Sequence, residues 1–193
     1  MTTTPTTKPL YLMIWELFFH DGMNKLNTAM LSSELAQITQ ESQHYEKNEQ
    51  SLQGMESLMK LYNQFMRIDH TASIRCSKVI DEVNDMLGKD IEISVKGLTE
   101  TKINPIFIAI FYNLIQNSIL HSGQENGLVV TIEIKESQII FSDNGKGIKE
   151  KGNDLFAPGH ALGIIRELGK KLGFTIEASN NPDGGARFSI QFI

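Results

Sequence analysis

Polar side chains recur one helical turn apart in the stretch Asn113-Leu-Ile-Gln-Asn117-Ser-Ile-Leu-His121. At about 3.6 residues per turn, residues four apart share one face of a helix, so the two asparagines and the histidine are neighbours. Asn104-Pro105 supplies a helix start upstream, because asparagine caps well and proline suits the first turn. We therefore predict a helix from Asn104 to about His121. Its amide oxygens are hard ligands suited to Mg²⁺, although two asparagines on a helix are more often solvated or capping residues.

Two glycine-bearing segments follow this helix. The first, Ser142-Asp143-Asn-Gly145-Lys-Gly147-Ile148, comes after a predicted strand. Its glycines let the backbone approach a flat ligand, and its ionised carboxylate accepts hydrogen bonds. The second, Gly159-His-Ala-Leu162-Gly163-Ile164, opens another helix, whose free N–H groups suit a phosphate. Neither segment is specific alone, because Asp-Asn-Gly is a common turn sequence and a lone glycine-rich loop is a weak signal.

Outward from these segments, the C-terminal part of the chain alternates between strands and helices. Hydrophobic spacing predicts helices over residues 79–87 and 162–172, the second ending at Gly173. Alternating patterns predict strands over residues 91–95, 128–134, 138–142, 174–178 and 186–192. The turn between the last two strands is Asp183-Gly184-Gly185. This pattern indicates an α/β domain over residues 74–193.

The N-terminal part indicates a helical hairpin over residues 10–70, after a leader of residues 1–9. Apolar spacing predicts a helix from Leu10 to Ile38 and another from Leu52 to Ile68, and the polar stretch 41–48 is interpreted as the loop between them. Each helix carries two apolar stripes, more than a lone hairpin covers. We therefore expect a dimeric four-helix bundle; a monomer whose hairpin folds back on the C-terminal domain is the alternative.

Composition excludes several classes of protein. The 193 residues carry a net charge of -5, whereas nucleic-acid binders usually have a basic surplus. A single cysteine excludes an internal disulfide framework and a four-cysteine zinc site, and it fits a reducing cytoplasm. The apolar run 10–19 contains Glu16 and is about half the roughly 20 residues that a membrane span needs. We expect a cytoplasmic protein with no nucleic-acid partner and no membrane partner.

In this order and spacing, segments 113–121, 142–148 and 159–164 resemble the N, G1 and G2 boxes of the GHKL ATPase superfamily. Asp154-Leu-Phe156 resembles the F box, and residues 184–192 look like the last strand of histidine kinase catalytic domains. The resemblance covers about residues 79–193 and implies an α/β sandwich that binds ATP and Mg²⁺. By this resemblance Asn117 holds Mg²⁺, while Asn113 and His121 lie near the phosphates. Asp143 reads the adenine amine. The implied pocket residues are Gly145, Gly147, Gly159, Leu162 and Gly163.

The hairpin carries a second resemblance. His20-Asp21-Gly22-Met23-Asn24 is similar to the H box of sensor histidine kinases. It implies that His20 is the phosphoacceptor, that Asp21 orients or deprotonates it, and that Asn24 positions a water for dephosphorylation. The chain as a whole then resembles the α+β catalytic core of a histidine kinase without its own sensor. Its implied partners are a response-regulator receiver domain, an upstream sensor protein and a second copy of the chain.

Some positions depart from the family pattern. Lys25 and Gly22 replace a proline and a leucine that are usual in the H box, and Ala161 replaces a glycine of the G2 box. Eleven residues lie between Gly147 and Gly159, a short lid. These departures keep open a histidine phosphotransfer or scaffold protein with a vestigial ATP site. An anti-sigma-type Ser/Thr kinase ranks last, since it has no use for an H box. Phosphorylation within one chain or across a dimer remains open.

Overall fold

The computed structural model describes residues 10–39, 42–67, 72–87, 91–124, 127–149, 155–157 and 160–193. The chain divides into two compact units, Met1–Arg67 and Ile68–Ile193. The first unit is helical, and the second combines helices with a sheet. Nowhere in the described ranges is there a helix with the length and apolar character of a membrane span.

The first unit is a pair of helices, α1 (Leu10–Thr39) and α2 (Ser42–Arg67), packed against each other. Phe18 meets Tyr62 edge to face with ring centroids 5.8 Å apart, and the Tyr45 hydroxyl donates to the Ala36 carbonyl at 3.3 Å. Early residues of α1 thus face late residues of α2, and late residues face early ones. The helices are therefore antiparallel, as the hairpin pattern predicts.

The predicted loop over residues 41–48 is wrong, because α2 begins at Ser42. Gln43, Tyr45, Glu46 and Lys47 are exposed. A helix that contributes few buried side chains in its first turns shows no apolar periodicity there, so its sequence looks like a loop. The connection between the helices is consequently much shorter than the sequence indicates.

In the second unit, the described residues form three helices and seven strands. The helices are α3 (Cys76–Leu87), α4 (Phe107–His121) and α5 (Ala161–Leu172). The strands are β1 (Ile74–Arg75), β2 (Glu92–Gly97), β3 (Lys102–Ile103), β4 (Val129–Ile134), β5 (Gln138–Asp143), β6 (Phe174–Asn180) and β7 (Ala186–Phe192). The predicted helices and longer strands are confirmed apart from their ends. The two-residue strands β1 and β3 were not predicted, because two residues carry no alternation to detect.

A five-stranded sheet forms one layer of this unit, in the order β2-β4-β5-β7-β6. β2 and β4 are parallel, and the other neighbours are antiparallel. Buried and half-buried residues alternate over most of β7, as expected when one face of a sheet is covered more fully than the other. Phe107 of α4 lies against the rings of Phe174 and Phe192, with centroids 5.4 and 5.6 Å away. Helices thus cover one face of the sheet, which confirms the α/β sandwich.

Local signals at the element ends explain where α4 and α5 lie. Asn104 Oδ1 accepts the backbone N–H of Ile106 at 2.9 Å, which stabilises the turn that leads into α4. Gly173 ends α5 in the left-handed conformation, with φ 76 and ψ 41, as predicted. Gly184 and Gly185 have φ of 98 and 86 and form the turn between β6 and β7. The start of α4 and the ends of α5 and β6 are therefore encoded locally.

Candidate functional site

The carboxylate of Asp143 lies at the end of β5 and is held by three hydrogen-bond donors. Oδ1 accepts from the backbone N–H groups of Gly145 and Ala186, each at 2.9 Å. Oδ2 accepts from the hydroxyl of Ser118 on α4 at 2.7 Å. Asp143 and Ser118 are 7% and 3% exposed, so the bond between them is shielded from water. The donors come from α4, from the loop after β5 and from the start of β7, and together they fix the carboxylate in one orientation.

The loop after Asp143 packs directly against the end of α4. A Cβ atom on Gly145 would lie 2.5 Å from the Cβ and 2.6 Å from the Cα of Ser122, where no side chain fits. The N–H of Lys146 donates to the Ser122 carbonyl at 2.9 Å. Glycine at position 145 is therefore required by close contact with the chain's own helix.

Asn180, at the end of β6, fixes the other side of this loop. Its Oδ1 accepts the N–H of Ile148 at 2.7 Å, and its Nδ2 donates to the Ile148 carbonyl at 3.1 Å. Gly147 has φ +77, and a Cβ atom there would lie 2.8 Å from Asn180 Oδ1. A side chain at position 147 would strain the backbone and displace the amide. Residues 143–148 are thus shaped by α4 on one side and β6 on the other.

The predicted polar residues of α4 differ in burial. Asn113 is 4% exposed, and its Nδ2 donates to the Ala109 carbonyl at 3.1 Å. Within the described ranges no donor reaches its Oδ1. A buried acceptor without a donor is unfavourable by about 1–3 kcal/mol, so this oxygen is suited to a ligand or a water. Asn117 is half-buried and His121 is exposed, one and two turns further along the same helix.

The second glycine segment contacts the chain between residues 155 and 157. Gly163, in α5, is buried, and a Cβ atom on it would collide with the carbonyl oxygen of Ala157. Leu162 is 6% exposed and belongs to the core. Gly159 lies outside the described residues, as does Asp154 of the predicted F box. Glycine at 163 therefore allows α5 to approach the 155–157 segment closely.

Arg166 holds this segment on α5. Its Nη2 donates to the Phe156 carbonyl at 2.9 Å, and its guanidinium carbon lies 5.4 Å from the centroid of the Phe156 ring. The first contact is a hydrogen bond from a charged group, and the second is a cation–π contact. Both fix the chain just before α5 begins.

The three residues predicted for phosphoryl chemistry on the hairpin are His20, Asp21 and Asn24. Their backbone lies in α1, and their side chains are outside what the structure describes. Gly22, between them, is helical, and a Cβ atom on it would have no neighbour within 4 Å. The departure at Gly22 therefore leaves α1 continuous through these positions.

Ser118, Asn180 and Arg166 contribute to the site and were not singled out from the sequence. Ser118 had one weak signal, since it is a polar residue directly after Asn117 in the helix segment that carries the other polar side chains. Asn180 and Arg166 carry no local signal, because their partners lie 32 and 10 residues away in the sequence. Contacts of this kind depend on which strands and helices become neighbours.

Comparison with known families agrees with this geometry. Residues 104–193 match the family model described as histidine kinase-, DNA gyrase B- and HSP90-like ATPase. These residues are an ATPase domain of that type. The ATPase domain contains α4, the Asp143 loop and α5. No curated protein matches the chain.

Solved structures share the fold of the chain. A bacterial phosphotransferase aligns with 98% of this chain and 100% of its own, with a TM-score of 0.56 and 14% identity. A histidine kinase domain from the blue-light activated histidine kinase of Erythrobacter litoralis aligns with 86% of this chain and 95% of its own, with a TM-score of 0.50 and 14% identity. The catalytic domain of histidine kinase ThkA aligns with 63% and 93%, with a TM-score of 0.52 and 22% identity. At these identities the likeness extends to the fold alone.

An ATPase domain of this type implies ATP binding, typically with Mg²⁺, and the residues present fit both. The amide oxygen of Asn113 is a buried acceptor that no described donor reaches. Asn117, half-buried one turn further along α4, carries a second amide oxygen, and amide oxygens are hard ligands of the kind that Mg²⁺ prefers. Asp143 Oδ2 accepts one hydrogen bond, from Ser118, and retains a lone pair for another donor.

Proposed function

We propose that the chain is a histidine kinase that transfers the γ-phosphoryl group of Mg-ATP to His20 and then passes it to an aspartate of a response-regulator receiver domain. The observation that carries this proposal is the buried Asp143 carboxylate. Its Oδ2 accepts a hydrogen bond of 2.7 Å from the hydroxyl of Ser118, the residue next to Asn117. Both residues lie in the segment that matches the ATPase family model. A fixed acceptor beside an amide-bearing helix suits an adenine nucleotide with its metal.

The ATPase domain would supply positioning and charge neutralisation, on which phosphoryl transfer mainly depends. In this proposal Asp143 accepts from the adenine amine, and Asn117 holds Mg²⁺. Asn113 and His121 lie toward the phosphates. The glycines and Leu162 of the G1 and G2 segments bound the pocket, and the N–H groups at the start of α5 suit a phosphate.

The hairpin would supply the phosphoacceptor. The imidazole of His20 attacks the γ-phosphorus, a phosphorus–nitrogen bond forms, and ADP leaves. An unperturbed imidazole has a reference pKa near 6.5 and is mostly neutral and nucleophilic at pH 7. Asp21 orients the ring or accepts its proton, and Asn24 positions a water for later dephosphorylation. The H-box resemblance and the continuous helix through these positions support this assignment.

The proposed partners follow from the same assignment. A receiver aspartate accepts the phosphoryl group, an upstream sensor protein controls the reaction, and a second copy of the chain completes a four-helix bundle. The proposed compartment is the cytoplasm. Exposed apolar side chains on both hairpin helices support the dimer, among them Phe19, Met30 and Met59 at 48%, 55% and 64% exposure.

A histidine phosphotransfer protein is the second candidate, and one observation favours it. The solved structure that aligns with 98% of this chain is described as a bacterial phosphotransferase. In this version the hairpin histidine takes its phosphoryl group from one receiver domain and gives it to another. The ATPase domain is then a scaffold with no turnover of its own. Ala161 and the short stretch between Gly147 and Gly159 are compatible with that role.

Incubation of the purified chain with Mg-ATP labelled at the γ-phosphate separates the two candidates. The kinase predicts an acid-labile label that is lost in His20→Ala and retained in His44→Ala, which alters another histidine of the same hairpin. Asp143→Ala should abolish ATP binding, as measured by titration with a fluorescent ATP analogue. Circular dichroism of each variant checks that the loss is not due to unfolding.

Two outcomes would contradict the kinase. The first outcome is a label that appears only when a receiver domain carrying the labelled phosphoryl group is added. If that label still depends on His20, the phosphotransfer protein is established instead. A label that survives in His20→Ala would remove both candidates, because each places the phosphoryl group on that residue.

A further inference from the structure

Ser118 has a distinctive position in the ATPase domain. Among the described residues, it is the one whose side chain hydrogen-bonds to the Asp143 carboxylate, at 2.7 Å from Oδ2. It lies on α4 immediately after Asn117 and is 3% exposed. Its hydroxyl therefore connects the helix that carries the amides to the carboxylate at the end of β5.

The single proton of this hydroxyl has two acceptors within reach. Ser118 Oγ lies 3.2 Å from the Leu114 carbonyl and 2.7 Å from Asp143 Oδ2. A contact of 2.7 Å between a hydroxyl and a carboxylate has the length of a charge-assisted hydrogen bond, which is the stronger of the two kinds. The proton is therefore donated to Asp143, and the Leu114 contact is secondary.

Counting lone pairs shows what this bond leaves for a ligand. An ionised carboxylate has about two acceptor sites on each oxygen. Oδ1 uses both of its sites for the N–H groups of Gly145 and Ala186. Oδ2 uses one site for Ser118 and has one left. One acceptor site on Oδ2 is thus left for a ligand, and the ligand group that occupies it must be a hydrogen-bond donor.

We propose that Ser118 is a positioning residue that sets the base specificity of the nucleotide site. By holding Oδ2 in place, its hydroxyl makes Asp143 favour a purine with an amino group at carbon 6 over one with an oxygen there. This inference rests on the proposed binding of ATP. It adds a residue that decides which base is accepted. An oxygen at carbon 6 would face a carboxylate oxygen and repel it.

The test compares two nucleotides, ATP and inosine triphosphate, which differ in this group of the base. The dissociation constant of each is measured by calorimetry with Mg²⁺ for the full chain and for Ser118→Ala. The intact chain should bind ATP at least about tenfold more tightly, the usual effect of one hydrogen bond to a charged group. Ser118→Ala should weaken the binding of ATP about tenfold and change the dissociation constant of inosine triphosphate by no more than about twofold. Most of the preference for ATP would then be lost.

The matched control is Ser122→Ala, which removes a buried hydroxyl one helical turn away. That hydroxyl accepts the N–H of Gln124 at 3.2 Å and is not among the described donors to the Asp143 carboxylate, so the preference should persist. A purely structural role for Ser118 would weaken both nucleotides equally, and that result would overturn the inference. If Ser118→Ala does not fold, the ratio of the two dissociation constants is measured for Ser118→Cys instead, since a thiol is a weak donor of similar size.

Failure of this inference is distinguishable from failure of the proposed kinase. A wild-type chain that binds neither nucleotide overturns ATP binding and this inference with it. A wild-type chain that prefers ATP, with the same preference in Ser118→Ala, overturns the role of Ser118 alone. Equal binding of both nucleotides by the wild-type chain also overturns the role of Ser118 and leaves ATP binding intact.

Discussion

At the scale of single residues, Asp143 depends on glycine at position 185 as well as on its hydrogen-bond donors. Gly185 has φ +86, and a Cβ atom there would collide with the Asp143 carbonyl oxygen. The next residue, Ala186, supplies an N–H to Asp143 Oδ1 at 2.9 Å. A side chain at 185 would push the start of β7 away and lengthen that bond. The hairpin turn was predicted from the sequence, but this second requirement arises because β7 pairs with β5.

Cys76 provides a chemical measure of how well the second unit is packed. It is fully buried at the start of α3, and desolvation raises the pKa of its thiol to about 12. The thiolate is the reactive form. Relative to the ordinary pKa of about 9, this shift lowers the thiolate fraction at pH 8 about a thousandfold. Alkylation by iodoacetamide at pH 8 should therefore be slower by at least about that factor in buffer than in urea, as measured by mass spectrometry.

The same shift predicts the direction of a pH effect on stability. Since the folded pKa is raised, the unfolded chain loses the thiol proton first as the pH increases. The contribution of Cys76 to stability is complete below about pH 9 and is lost as the pH rises toward 12. The melting temperature should therefore fall less between pH 8 and pH 10.5 in Cys76→Ala than in the unsubstituted chain. Equal alkylation rates in buffer and urea would show that the thiol is accessible.

At the scale of elements, replacing either of two helical glycines by alanine should change helix stability, in opposite directions at the two sites. A methyl group on Gly22 in α1 would have no neighbouring atom within 4 Å, whereas a methyl group on Gly163 in α5 would collide with the Ala157 carbonyl. Gly22→Ala should stabilise α1 by about 0.5–1 kcal/mol, because glycine is the more flexible residue in the unfolded chain. Gly163→Ala should destabilise the start of α5 by about 1–3 kcal/mol through overpacking.

Hydrogen exchange followed by mass spectrometry measures each helix within the intact chain. Peptides around Gly22 should exchange about two- to fivefold more slowly in Gly22→Ala, and peptides over residues 155–165 should exchange faster in Gly163→Ala. Each variant is the control for the other, since the chemical change is the same. Slower exchange around the substituted residue in both variants would mean that local packing does not set the sign of the effect.

Much of the element order could be predicted from the sequence, because its signals are local. The helix α4 follows from apolar spacing after Asn104, and the ends of α5 and β6 follow from Gly173 and the Gly184 turn. The start of α2 was missed, since its exposed first turns carry no apolar stripe. The donors to Asp143 were missed for a different reason. Ala186 lies 43 residues away in the sequence, and only strand pairing brings it near.

At the scale of the whole molecule, the hairpin leaves apolar side chains exposed along α1. Leu12, Trp15 and Phe19 lie one helical turn apart at 37%, 42% and 48% exposure, and the rings of Trp15 and Phe19 are stacked with centroids 4.5 Å apart. Met23 and Met30 continue the same face of α1 at 36% and 55% exposure. Single exposed apolar residues are normal, but a surface of this length is typical of an interface. A second copy of the hairpin is the proposed partner.

The expected consequence is a dimer in solution. Light scattering on the eluting full chain at micromolar concentration should give about twice the 21.7 kDa of one chain. Phe19→Glu should shift the mass toward one chain, because burying an unpaired carboxylate in an apolar interface is strongly unfavourable. Far-ultraviolet circular dichroism of the variant checks that the helices persist.

The matched control for this substitution is Leu98→Glu. Leu98 lies in the second unit and is 50% exposed, close to the exposure of Phe19, so the same charge is introduced at a similarly accessible apolar site. Its mass should remain that of the unsubstituted chain. A mass of 21.7 kDa for the unsubstituted chain would contradict the dimer. Dissociation by Leu98→Glu and not by Phe19→Glu would transfer the interface to the second unit, and the exposed face of α1 would then need a different partner.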